Sequence, residues 1–497
     1  MLKIIIIALA ALWMSIPAAG TTAAEPAVSD LTQDCISCHS IVHPGIVADW
    51  QRSRHAAVTP AVALAKPERE RRMSAARVPD ELAGVVVGCA ECHMRNPADH
   101  KDTFTHNEQE VHVLVSPKDC AVCHPKETEQ FGGNIMSWAH KNLVGNELYR
   151  DLKKEVNGVQ VMSTFGPAAG DTDDKTEADS CLHCHGTVIE VAGKRTRDTD
   201  YGEMEFPVLT GWPNQGVGRH NPDGSQGSCT SCHSRHKFSI EMARKPYTCA
   251  QCHKGPDVPA YPAFDVSKHG NLHSSLGRHW DFDKVPWTVG KDFTAPTCAA
   301  CHVGELAGAD GETIVERTHR MNDRLPWRII GLVYAHPHPK GPDTSVIRNK
   351  EGLPLPTSLS NEPAEEFLIG PEEMARRKET MQKVCLACHS KDWVDGHWAR
   401  FENTIKTSNE MTATATRLLA QAWEKGVAFK SPSIFDEPIE KQWVEQWLFF
   451  GNSTRFASAM MGADYGVFAN GRWYMSKNLK EMSERFNILL NMKNGNK

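Results

Sequence analysis

Sixteen cysteines occur in this chain of 497 residues, and every one falls in a C-x-x-C-H unit. In order these are Cys35, Cys38 and His39; Cys89, Cys92 and His93; Cys120, Cys123 and His124; and Cys181, Cys184 and His185. The second half adds Cys229, Cys232 and His233; Cys249, Cys252 and His253; Cys298, Cys301 and His302; and Cys385, Cys388 and His389. No cysteine is left over for a disulfide. Two thiols at this spacing can add to the two vinyl groups of one haem, and the adjacent imidazole then reaches the iron. Zinc also uses C-x-x-C pairs but does not require histidine after the second cysteine. Histidine is about one residue in twenty here, so eight such neighbours by accident has odds on the order of 1 in 10^10 for zinc-type spacing. The motifs predict eight covalently bound c-type haems, with His39, His93, His124, His185, His233, His253, His302 and His389 as proximal iron ligands.

Haems at this density leave no room for an ordinary hydrophobic core. The predicted fold is mainly α, with short helices and loops wrapped around the porphyrins and no alternating strand pattern of note. Stretches such as Gly166 to Asp174 and Pro337 to Pro356 read as loops. After the last motif the pattern turns helical. Pro371-Glu372-Glu373 opens a helix towards Val384. Ser408 or Asn409 caps a second running to Lys425, stopped by Gly426. Asp436 and Pro438 begin a third with Trp443, Trp447 and Leu448. A last one, from Trp473 to Met492, places Leu479, Met482, Phe486 and Leu490 near one face.

Met1-Leu2-Lys3, an apolar run from Ile4 to Ile16 and small residues near Gly20 and Ala24 read as an export signal. A retained anchor is the rival reading, but the run is short for a span. The expected organisation is a signal at 1–24, an octahaem-binding region at 25–395 and a C-terminal helical region at 396–497. That last region serves as a cap over the haems or as an oligomerisation arm. The mature protein is expected to be soluble and periplasmic, or otherwise outside the cytoplasm. Formal net charge is −6 before haem propionates are counted, which argues against a nucleic-acid partner.

Of 24 histidines, sixteen remain after the proximal eight. A haem with both axial positions filled only transfers electrons; one with an open position can bind and transform a small molecule. Counting residues cannot show which haem, if any, is open.

Several segments resemble the octahaem hydroxylamine oxidoreductase family, and the resemblance covers the mature chain. The strongest is NPDGSQGSCTSCHSRHKFS, Asn221 to Ser239. Others are CAVCHPKETEQF…SWAH from Cys120 to His140, SKHG from Ser267 to Gly270, TAPTCAACH from Thr294 to His302, and THRMNDRLPW from Thr318 to Trp327. The resemblance implies a mainly α-helical homotrimer whose fourth haem, here on Cys181, Cys184 and His185, is catalytic and open on its distal side. Matched residue by residue, it implies His55, His112, His140, His236, His269, His319 and His397 as distal ligands, seven for eight haems. His220 precedes the strongest segment at a variable position and is left out.

Oxidative members of that family bond a tyrosine from a neighbouring subunit to the catalytic porphyrin, in a segment like D-Y-x-x-W-H-G. Here Asp464-Tyr465 is present, but Phe468-Ala469-Asn470 replaces the rest. Tyr465 is therefore either a cross-linker to a modified fourth haem or a tyrosine packed on a helix. The family also carries an Asp-His pair after the sixth motif as proton acceptor. Asp257 is kept, and Val258 stands at the histidine position.

The resemblance implies an oxidoreductase acting on a small nitrogen compound (hydroxylamine, hydrazine, nitrite or NO), exchanging electrons with a soluble or membrane-bound cytochrome c. Oxidation needs the proton acceptor and the tyrosine bond, whereas reduction needs neither. Two alternatives stand beside it. One is a pure electron carrier, in which His220, His273 or His279 fills the fourth iron. The other is a different octahaem lineage, and the absence of C-x-x-C-K counts against its lysine-ligated kind.

Overall fold

The computed structural model describes residues 25–164 and 166–495. The expected export signal at 1–24 lies outside them. Among the described residues no helix is long and apolar enough to cross a membrane.

The attachment region is built from one-turn helices and loops. Cys89–His93, Cys181–His185 and Cys298–His302 are each five-residue helices. Such segments cannot hold themselves together in water, because the first helical turn costs more order than its hydrogen bonds return. They are fixed from outside. Gly186, directly after His185, adopts φ +91, and a Cβ there would meet the backbone nitrogen of Arg219 at 2.3 Å. Only glycine lets the fourth motif pack so closely on the Gly216–Arg219 backbone.

Strand structure exceeds what the sequence pattern predicts. Antiparallel pairs form between β1 (Thr103–His106) and β2 (Gln109–His112), and between β3 (Gln160–Ser163) and β4 (Gly166–Ala169). A longer hairpin joins β5 (Glu190–Thr199) to β6 (Gly202–Thr210). The start of the expected Gly166 to Asp174 loop is thus a strand. The reason for the miss is exposure. Nearly all of β5 is in contact with water on both faces, so no apolar alternation marks it. Further short strands are β7 (Trp287–Thr288), β8 (Leu306–Ala307), β9 (Thr313–Val315), β10 (Trp327–Arg328) and β11 (His336–Pro337). β10 pairs antiparallel with β11, Arg328 opposite His336, and β11 ends on Pro337, the first residue of the stretch expected to be loop.

The C-terminal helices follow the sequence reading with one correction. The first spans Pro371–Leu386. The second is one helix of 34 residues, Lys391–Glu424, so Ser408 and Asn409 lie in its middle and do not cap it. Their polar groups are satisfied elsewhere, which removes the local competition that makes such residues helix starters. Ser408 Oγ donates to Ile405 O at 3.0 Å. Asn409 donates to Ala335 O at 2.9 Å and accepts from Ala335 N at 3.0 Å. The expected boundary between residues 395 and 396 falls inside this helix. Pro438–Val444 continues through a π-helical stretch, Glu445–Gly451, into Asn452–Met460, and the last helix is Arg472–Gly495.

These helices enclose the largest apolar cluster. Leu419, Trp443, Trp447 and Met482 are 0–1% exposed, and Phe486 packs with them against Leu332, Val333 and Tyr334. Leu479 and Leu490 extend the same face. Trp443 Nε1 donates to Thr416 Oγ1 at 2.9 Å, and Tyr334 OH donates to the same oxygen at 3.0 Å. Burying an indole with its N–H paired gains its area without leaving a polar group unmatched. This cluster holds the segment after Trp327 in place.

Candidate haem and substrate site

One continuous cavity of about 2360 Å³ passes all eight motif histidines and every motif cysteine except Cys38. Nearly all the motif chemistry therefore faces a shared interior, as porphyrins packed edge to edge require. The cysteines also meet across motifs. Thiols of Cys35 and Cys89, Cys120 and Cys229, Cys184 and Cys252, and Cys249 and Cys298 interact directly. Cys92 lies near Cys123, and Cys301 near Cys385. The contacts run through motifs one, two and three, then five, six, seven and eight, with the fourth joined at the sixth.

The residues fit haem on a second count. His93 Nδ1 lies 2.8 Å from His112 O, and His185 Nδ1 lies 3.0 Å from Ala139 O. A carbonyl at Nδ1 fixes the tautomer and leaves Nε2 as the donor to a metal. Two imidazoles bound trans to one iron, with Fe–N near the 2 Å usual for imidazole on a first-row metal, have ring centroids about 6.3 Å apart. Three pairs meet this spacing. His55 and His124 are 6.3 Å apart, His269 and His389 6.2 Å, and His39 and His106 6.1 Å. For two more motifs the link is electrostatic. Burial and then the charge of His93 push His236 down to about 4. Burial and then His233 push His319 down to about 3.

His106 is absent from the ligand set that the resemblance implies. Only β1, which turns its ring towards His39, reveals it. His112 carries the opposite correction. Its ring centroid lies 6.0 Å from His93, but both its nitrogens face carbonyls, Nδ1 that of Leu114 at 2.8 Å and Nε2 that of Arg95 at 2.9 Å. With no nitrogen free, His112 does not fit a distal ligand and acts on His93 through its backbone oxygen. It also stacks on His100, centroids 3.6 Å apart and planes 7° apart. His100 is fully buried between Asp102 and Asp119, 3.2 Å from each. Burial lowers its pKa, but the two carboxylates outweigh that and lift it to about 9. His100, Asp102 and His112 cluster closely enough to suggest a metal. Stacked rings, however, point their in-plane lone pairs parallel and cannot converge on one ion.

His140 lies 5.0 Å from His220, edge to face. Its neighbour Ala139 accepts the Nδ1 hydrogen of His185, and the charge of His185 acts on His140 after that of His220. His397 is buried in the long helix and stacks on Trp393 at 5.3 Å, and Trp393 stacks on His389 at 3.9 Å. Among the described residues no ring contact brackets the sixth and seventh motif histidines with a second imidazole.

At the fourth motif two opposite charges reach the proximal ligand, on which His140 also acts. Burial lowers the pKa of His185; after its carbonyl partner, the charges acting on it are Asp257 and Arg328. Tyr149 senses the same two groups. Asp257, Val258, Tyr149 and Arg328 all line the cavity with His185. Two side chains from the C-terminal helices hold this wall. Asn452 Nδ2 donates to Asp257 O at 2.7 Å, and Asn452 Oδ1 accepts from Gly331 N at 3.3 Å and from Arg455 at 2.7 Å. Arg455, 0% exposed, also donates to Ile329 O at 2.9 Å. Nothing local in the sequence marks Asn452 or Arg455, whose bonds to Asp257, Gly331 and Ile329 span 121 to 195 residues. Tyr465 is half-buried on the Ala463–Val467 helix and does not line this cavity.

Comparisons agree with haem attachment. Residues 192–330 match the family described as "Seven times multi-haem cytochrome CxxCH", and residues 119–205 match "Cytochrome c554 and c-prime". A probable nitrite reductase–hydroxylamine oxidoreductase fusion protein of Kuenenia stuttgartiensis is 26% identical over 291 residues. The match takes in 54% of this chain but only 25% of that protein. A solved structure titled "Hypothetical multiheme protein" is 39% identical, covers 94% of this chain and 97% of its own, and superposes with a TM-score of 0.88. A reducing HAO-like protein complex of Kuenenia stuttgartiensis shares the fold at 18% identity, with a TM-score of 0.59 over 93% of this chain and 86% of that one.

Proposed function

Because the chain belongs to the multihaem c-type cytochromes, we propose that it is a periplasmic octahaem oxidoreductase of the hydroxylamine-oxidoreductase type. It converts a small nitrogen compound (hydroxylamine, hydrazine, nitrite or NO) at the haem on Cys181, Cys184 and His185. The other seven haems conduct electrons, exchanged with a cytochrome c partner. The carrying observation is the charge environment of His185. Five other proximal ligands have an imidazole facing them or acting on them, and His140 acts on His185 as well, but His185 is the proximal ligand on which Asp257 and Arg328 act together. The thiol contacts support a route along motifs one, two, three, five, six, seven and eight, with the fourth feeding in at the sixth. Residues 25–395 carry the haems. The helices of 396–497 brace the substrate wall and form the oligomerisation arm of a homotrimer.

Haem iron with an open position supplies a binding and electron-transfer centre for small nitrogen ligands. The chain supplies the rest. Ala139 orients His185, Asp257 stands ready to exchange protons, and Asn452 fixes the Asp257 backbone. Val258 in place of a histidine and Asn470 in the tyrosine segment favour the reductive direction, which needs neither group.

The test is an assay of the haem-loaded protein with hydroxylamine, hydrazine and nitrite, each with an electron acceptor and a donor, beside its ferric EPR spectrum. A high-spin ferric signal with turnover of one of these compounds is the expected result. Eight low-spin haems and no turnover would leave a pure electron carrier.

A further inference from the structure

Arg328 is the one guanidinium acting on both His185 and Tyr149 among the described residues. It sits at the inner end of β10, where its side chain lines the haem cavity. No hydrogen bond or ion pair joins that side chain to another described residue. Of the other arginines set into the interior, Arg235 also lines the cavity without a hydrogen bond or ion pair to another described residue but lies over the Trp212 ring at 4.9 Å, and others are held by hydrogen bonds. Arg324 donates to four backbone carbonyls, Arg455 to Ile329 O and Asn452 Oδ1, and Arg219 to Asn221 and Asn214. The groups nearest Arg328 do not cancel its charge. Its cross-strand partner is His336, and its charge also acts on His338, just past the end of β11. Both imidazoles are buried, 2% and 5% exposed, and neutral, with His336 Nε2 and His338 Nδ1 unpartnered. Asp257 acts on the same residues but forms no ion pair with it.

An unpaired guanidinium in a partly enclosed cavity is a receptor for an anion, and its forked donors match two oxygens on one atom. We propose that Arg328 is the substrate-binding residue of the fourth-haem site and that it selects small oxyanions of nitrogen, nitrite above all, over neutral hydroxylamine or hydrazine. This rests on the reading that the haem on His185 is open. Tyr149 lies on the same wall, positioned as a second donor to the anion. The site is framed by Asn452 and Arg455, which tie the chain just after Arg328, at Ile329 and Gly331, to the Asp257 loop.

The experiment uses haem-loaded full-length protein and its Arg328→Gln and Arg328→Lys variants. Ferric protein is titrated with sodium nitrite and, separately, with hydroxylamine, reading the shift of the high-spin absorption and EPR signals. Haem content is measured by mass on each sample. Losing a charge-assisted hydrogen bond is expected to weaken nitrite binding about 10- to 100-fold in Arg328→Gln. Arg328→Lys should fall between, hydroxylamine binding should change little, and haem content should be unchanged. Equal weakening of both ligands, or none, overturns the selectivity. A loss of haem or a changed low-spin spectrum overturns it too, by making Arg328 the anchor of a haem propionate. If the unaltered protein shows no ligand-accessible high-spin haem, the proposed function itself falls. If it does and Arg328→Gln binds nitrite normally, only this inference falls.

Discussion

Replacing His100 by glutamine tests the buried charge cluster beside the second motif. The ring is fully buried between Asp102 and Asp119, 3.2 Å from each. Asp102 also accepts from the backbone of Val113 and Leu114, and Asp119 from Ser116 and Asn96. Burial opposes protonation of His100, yet the carboxylates lift it from 6.5 to about 9. At about 1.4 kcal/mol per pH unit, that difference stabilises the fold by about 3 kcal/mol while the ring is charged. The folded pKa is the higher one, so the contribution is complete below pH 6.5 and is lost as pH rises to about 9. Burial raises both aspartates, but bonds from His100 and the backbone more than reverse that and hold them below 3.8. Their own contribution therefore declines only in acid, as pH falls below that value. His100→Gln leaves two buried carboxylates facing a neutral amide, at a cost of about 3–5 kcal/mol at pH 6. The assay is guanidinium unfolding of the haem-loaded protein by near-ultraviolet circular dichroism at pH 6 and pH 9.5. The natural protein should lose about 3 kcal/mol more than the variant between those two pH values. A variant that tracks the natural pH profile would refute the clamp. Because His100 stacks on His112, whose carbonyl orients His93, the variant should also shift the spectrum of the second haem.

Four further outcomes follow from the same geometry. His106→Ala should add a high-spin ferric EPR signal by freeing the first iron, whereas His112→Ala should not, since both nitrogens of His112 are already engaged. Trp443→Ala should destabilise the C-terminal cluster by about 3–5 kcal/mol in denaturant unfolding, through the void left among Leu419, Trp447 and Met482. Asn452→Ala should cost about 1–3 kcal/mol and lower nitrite turnover, because the carbonyl of Asp257 and the N–H of Gly331 both lose their partner. Tyr465→Phe should leave nitrite reduction and the mass of the fourth-haem peptide unchanged. Loss of hydroxylamine oxidation in that variant would instead mark a working tyrosine bond.

Legibility in the sequence divides along the range of the interactions. The attachment motifs are covalent chemistry over five residues, so Cys181, Cys184 and His185 declare their role without any fold. The last helix was equally readable, since Leu479, Met482, Phe486 and Leu490 recur at helical spacing and all join one cluster. Ser408 and Asn409 misled because their cap-like chemistry is spent on Ile405 and on Ala335, the latter 74 residues away. Strand β5 carried no signal because water wets both its faces.

The distal ligands mark where local reading ends. His106 and His112 lie at the two ends of one hairpin and look alike as residues. Pairing of β1 with β2 sends His106 towards His39, while His112 spends both nitrogens on carbonyls. The wall beside the fourth motif is the same case on a larger scale. Asp257, Arg328 and Asn452 come from three distant stretches and meet because the C-terminal helices draw the loops together. What a thioether motif binds is written in adjacent atoms. Which imidazole or cation then faces the iron depends on where long-range packing sends each chain segment, and no short window of residues encodes that.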